Sequence, residues 1–128
     1  MNAQHQLTPW LWHVPAVDAQ AEVTLIRWRV IEVPQGERFL VGYCVERGEG
    51  RVSTSLLGVD VSQMVCNTAS GRVYQLEGEP GVDPDGDFVW RAAMRARKIE
   101  SWTDMSSDIW KLHQAHAAAG HDTRGGSS

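Results

Sequence analysis

The strongest constraint on this chain is a pair of β-rich runs separated by four turn residues. "EVTLIRWRVIEV", Glu22 to Val33, and "RFLVGYCVE", Arg38 to Glu46, are dense in β-branched and aromatic residues, and "PQGE", Pro34 to Glu37, lies between them. Ile26, Trp28 and Val30 alternate on one side of the first run, as do Phe39, Val41, Tyr43 and Val45 in the second. Alternation of this kind is the mark of a half-buried strand, and Pro and Gly between two such runs predict a hairpin.

A lone hairpin is marginal in water, so more strands or a helix must cover its apolar face. The chain supplies both. "RGEG", Arg47 to Gly50, turns into "RVSTSLLG", where Val52, Thr54 and Leu56 alternate with Arg51, Ser53 and Ser55. "MVCNT" follows a loop at Asp60 to Gln63, and the short connection Ala69 to Gly71 leads into "RVYQLEG", with Val73, Gln75 and Glu77 opposite Arg72, Tyr74 and Leu76. These segments predict an α+β fold: a five-stranded antiparallel β-meander, curved or partly closed as a small barrel, followed by two α-helices.

Two helical patterns close the sequence. After the aperiodic "GEPGVDPDGD", Gly78 to Asp87, the run "FVWRAAMRARKIE" places Phe88, Val89, Ala92, Ala93, Ala96 and Ile99 on one broad face, the face expected against the sheet. Asp87 is the expected N-cap. Arg91, Arg95 and Lys98 form a second stripe, with Trp90, Met94 and Arg97 beside it. The second helix is expected to start near Thr103 or Ser106, to group Ile109, Leu112, His113 and His116 on one side, and to end at Gly120. In a chain of 128 residues this gives one domain over 22–119, an N-terminal arm over 1–21 and a disordered tail over 120–128.

Several chemistries lack their motifs. Gly71 is followed by a strand, and neither GxxxxGK[ST] nor GxGxxG occurs, so no phosphate or dinucleotide loop is expected. Ser70 has Ala69 and Gly71 as neighbours, which is not a nucleophile elbow. Asp83, Asp85 and Asp87 resemble the start of a calcium loop, but Phe88 and Met94 stand where such a loop needs Gly and Glu. His113, His116 and His121 have metal-like spacing, yet no carboxylate or Cys completes the set closely, and Gly120 interrupts the helix. Cys44 and Cys66 lie in apolar runs outside any CxxC spacing and read as reduced, buried thiols. Glu32, Glu46 and Glu77 lie on strands with no pairing evident from sequence. No metal, cofactor or catalytic residue is therefore assigned, and a small enzyme with a dispersed site stays as a second alternative.

The run from Arg51 to Trp90, "RVSTSLLGVD", "TASGRVYQLEGEPG" and "FVW", resembles a group of small proteobacterial proteins encoded on plasmids and integrated mobile elements. The shared pattern is an RVS strand, a TxSGRVYxLxGxPG segment and an aromatic-Val-Trp helix start. The resemblance covers about forty central residues and implies an accessory gene in a bacterial cytoplasm; it assigns no activity.

The functional lead is the first helix. Trp90, Arg91, Met94, Arg95, Arg97 and Lys98 are the residue types enriched at protein interfaces, and they form adjoining stripes. The other outcome is that Trp90 and Met94 are covered by the second helix or by the arm, whose Trp10 and Trp12 also need packing partners. The expectation is a non-enzymatic binding protein with another protein as partner. The alternative is a nucleic-acid-binding module that grips phosphates with the same basic stripe and stacks bases on Trp28 or Tyr74. A net charge of −4 and the acidic loop before the helix weigh against it. No apolar run approaches a membrane span, and the N-terminus lacks the pattern of a signal peptide, so a cytoplasmic protein with no membrane partner is expected.

Overall fold

A computed structural model describes residues 10–12 and 21–127, with side chains at 10, 11 and 21–119. The described elements are β1 (Leu11–Trp12), β2 (Val23–Glu32), β3 (Arg38–Cys44), β4 (Glu49–Val52), β5 (Leu56–Asp60), β6 (Val65–Thr68), β7 (Val73–Leu76), α1 (Pro84–Arg97), β8 (Thr103–Asp104) and α2 (Ser106–Ser127). The α+β class holds, and β2 and β3 pair antiparallel as the hairpin requires.

The meander does not hold. The sheet order is β1-β5-β6-β7-β2-β3-β4, with β8 also on β2, and two of its pairings are parallel: β2 with β7 and β1 with β5. The expected third strand is two strands. Ser53 turns inward, where its hydroxyl accepts from the Leu40 amide and donates to the Thr54 carbonyl, and this ends β4 before β5 begins. The link over 53–55 joins strands five places apart in the sheet order, about 24 Å if the sheet were flat. Four residue steps reach at most about 14 Å, so the sheet curls strongly. No ladder joins its two ends among the described residues, so it is an open mixed sheet and not a closed barrel.

A bulge in β2 decides which side chains face which layer. Arg27 and Trp28 stand opposite Gly42 alone, between the pairs Ile26↔Tyr43 and Arg29↔Val41, and Arg27 has φ 46. An extra residue reverses strand parity. Before the bulge Val23 and Leu25 enter the larger core cluster; after it Trp28 and Val30 do. Ile26 therefore does not share a face with Trp28 and Val30, as simple alternation predicts. Gly42 permits the bulge, because a Cβ there would sit 3.1 Å from the Ile26 carbonyl oxygen and the Trp28 Cα.

The two helices cover opposite faces of the β2–β3 hairpin. Ile109 of α2 is buried in the larger cluster, with Met105, Trp110 and Leu112 against it and Trp110 edge-on to Trp28. The Ser106 hydroxyl accepts from the Val30 amide and fixes the start of this helix. Gly120 lies within α2 and does not terminate it. On the other face Ile31, Val33, Phe39 and Val41 surround Trp90 of α1.

From the arm, Leu11 and Trp12 add parallel to β5, with Trp10 and Leu11 buried in the larger cluster. Cys44 and Cys66 are free, buried thiols on β3 and β6, separated by two intervening strands. Burial, with Asp60 nearby, pushes the Cys66 thiol far above its ordinary pKa. Among the described residues no helix is long and apolar enough to cross a membrane.

Candidate functional site

Helix α1 begins one turn earlier than the sequence predicts. Its N-cap is Asp83, not Asp87, and Pro84 occupies the first turn, where its missing N–H costs nothing. Asp83 Oδ2 accepts from the Gly86 amide at 2.9 Å, and Oδ1 accepts from Arg27 Nε at 2.8 Å. The bulge residue of β2 thus holds the cap of α1.

Three glycines set the helix directly on the sheet. A Cβ on Gly86 would meet the Gly42 carbonyl oxygen at 2.9 Å, and one on Gly50 would meet the Asp85 carbonyl at 2.2 Å. With Gly86 inward, the helical period brings Trp90, Ala93 and Met94 inward too. Trp90 is 1% exposed and packs on Phe39 and Trp102; Ala93 and Met94 line the same cluster. The face expected against the sheet is therefore rotated: Phe88, Ala92 and Ala96 point to solvent.

The residues singled out from the sequence are consequently divided. Trp90 is a core residue, packed between Phe39 of the sheet and Trp102, and Met94 is a partly buried neighbour of the same cluster; most of the arm lies outside the described residues. The Trp90 indole N–H is buried without a hydrogen-bond partner among the described residues. Arg97 lies over the Phe39 ring at 4.8 Å and 4.0 Å from Glu37. Lys98 takes the left-handed position at the helix end, φ 59, and its amide reaches the Arg95 and Met94 carbonyls. Arg91 and Arg95 remain on the outside, Arg91 donating to Asp87 at 2.7 Å. That hydrogen bond, with Arg29 at 3.2 Å on the other carboxylate oxygen, holds the Asp87 carboxyl below its ordinary pKa. Arg95 has no ion pair among the described residues.

Sequence reasoning missed Phe88. Its ring is 71% exposed, the most exposed large apolar side chain described, with Val82 in the preceding loop next at 63%. Together Phe88, Arg91, Ala92 and Arg95 form an outward face of mixed aromatic and cationic character, and no acidic residue occurs from Phe88 to Ile99. The spacing Gly86, Trp90, Met94 was the available signal: one glycine and two large apolar residues four apart.

Other candidate chemistries are placed elsewhere. Trp28 and Tyr74 are buried, so neither is presented for base stacking. Ser70 sits in the β6–β7 turn, its amide donating to Thr54 Oγ1. His113 Nδ1 donates to the Val61 carbonyl at 2.7 Å and His116 is exposed, while the side chain of His121 lies outside the described residues. Among the described residues no group of three His, Cys, Asp or Glu could hold a metal. Two open hollows of about 360 Å³ flank β2. One contains Glu32, already paired with Arg38 at 3.0 Å, and the other contains Arg29, paired with Asp87.

No family model, curated protein or solved structure matches this chain. Its site is therefore defined by geometry alone.

Proposed function

We propose that this chain is a non-enzymatic protein-binding module that engages its partner through the outer face of α1. The observation that carries this reading is Phe88, an aromatic ring left 71% exposed between Arg91, Ala92 and Arg95 on a rigidly seated helix. Aromatic and Arg side chains dominate the energetics of protein interfaces, and a preorganised helix loses little entropy on docking. Nucleic-acid binding retains only the basic stripe, since the aromatic residues it would use are buried. The setting, an accessory factor of a bacterial mobile element acting in the cytoplasm, rests on the resemblance of Arg51 to Trp90 alone.

Affinity capture from a nuclease-treated lysate of the host, wild type beside Phe88→Glu, tests the reading. A stoichiometric protein that is retained by the wild type and lost with Phe88→Glu, at unchanged thermal unfolding, supports it. Equal capture by both proteins, or no captured protein, counts against it.

A further inference from the structure

The outer face of α1 is complementary to itself. Asp85, Phe88, Ala92 and Arg95 are all exposed, and at about 100° per residue they fall within about 80° of arc, opposite Trp90. Their 3-4-3 spacing is that of an interhelical seam. Resting on the protein-binding reading, we infer that the occupant of this face is a second copy of the chain, docked with the two α1 helices antiparallel about a two-fold axis at the level of Trp90.

The register follows from symmetry. In a two-fold pair each residue faces the one equally far beyond the axis. Asp85, five residues before Trp90, meets Arg95, five residues after it; Phe88 meets Ala92. Each end of the seam then holds one carboxylate–guanidinium pair, and each Phe88 ring fills the space left by an Ala92 methyl. A parallel arrangement would set Asp85 against Asp85, Arg95 against Arg95 and Phe88 against Phe88, so charge and size both select the antiparallel one. Trp90, Gly86 and Ala93 stay on the sheet, and docking requires no change in the fold. A 14-residue helix is about 21 Å long. A seam of this length gives a contact smaller than a permanent interface, hence a dimer that depends on concentration and weakens with salt.

Sedimentation velocity on the full chain over a wide concentration range at low salt tests the inference, using wild type, Asp85→Arg, Arg95→Asp and an equimolar mixture of the two variants. Wild type is expected to self-associate. Each single reversal places like charges at both ends of the seam and is expected to weaken self-association by about tenfold or more. The mixture is expected to recover a dimer, because every Arg end of one variant then faces an Asp end of the other. Circular dichroism checks that both variants fold, and Phe88→Lys, at a largely exposed position, provides a second disruptive change. A wild type that stays monomeric, single variants that associate like wild type, or a mixture that does not recover the dimer overturns the inference. A monomer that nevertheless loses a captured protein on Phe88→Glu overturns the second-copy assignment alone and leaves the protein-binding reading in place.

Discussion

Arg27 Nε lies 2.8 Å from Asp83 Oδ1, joining the bulge of β2 to the N-cap of α1 across 56 residues of sequence. Half-exposed Arg27 adopts φ 46 to reach it, while the Asp83 side chain is almost fully buried. The cap does more than start a helix: tied to β2 through Arg27, it helps set the rotation of α1, and through it which residues face solvent. Asp83→Ala removes both the cap and the ion pair and is expected to cost about 1–2 kcal/mol. Asp83→Asn keeps a capping oxygen and should cost less, since the pair to half-exposed Arg27 contributes little. Urea unfolding of the two variants checks the order.

The seat of α1 on the sheet depends on the absence of two side chains. In a solvated helix Gly→Ala gains roughly 1 kcal/mol, but at Gly86 the added carbon meets the Gly42 carbonyl oxygen at 2.9 Å. Gly86→Ala is therefore expected to destabilise, and overpacking of this kind costs about 1–3 kcal/mol. Gly50→Ala, at 2.2 Å from the Asp85 backbone, should be the worse of the two. Thermal melts of both variants test this, and a stabilised Gly86→Ala would contradict the close contact.

Acid should loosen the same region. The hydrogen bond from Arg91 lowers the Asp87 carboxyl in the folded chain, with Arg29 adding to it. A group depressed on folding stabilises fully above its unfolded pKa, about 3.9 for Asp. That contribution is lost as pH falls through the lower folded value. The difference in melting temperature between wild type and Asp87→Asn is thus expected to be constant near neutrality and to shrink below about pH 4. A difference that does not change with pH would show that the pairs with Arg91 and Arg29 contribute no linked stability.

The parts of the fold that were legible in the sequence are those set by local pattern. The β2–β3 hairpin, the turn at Ala69 to Gly71, the buried thiols and a helix start near Thr103 or Ser106, of which Ser106 is the one found, all follow from period, turn chemistry and capping. The parts that were not legible are set by contacts distant in sequence. Nothing local marks Arg27 as a bulge, because its conformation is held by Gly42 and Asp83. Ser53 looks like one more polar strand residue until its hydroxyl is seen to take the Leu40 amide. The parallel pairing of β2 with β7 joins segments about fifty residues apart and leaves no local trace. On α1 two apolar stripes compete, one of Phe and Ala and one of Gly, Trp and Met. The bulkier stripe faces inward because Trp90 gains more from burial against Phe39 than alanines would. Asp83-Pro84 was the local signal for the helix start, an N-cap followed by proline, and Asp87 was the weaker choice.

The central claim is that α1 presents its outer face to another protein. The most direct measurement places a photoreactive benzophenone amino acid at position 88 and, separately, at Leu57, which is 57% exposed on β5 and outside the α1 face. After irradiation, covalent adducts to protein, whether a second copy or a different chain, are expected from position 88 and not from position 57. Adducts from position 57 alone, or equal yields from the two positions, would contradict the account.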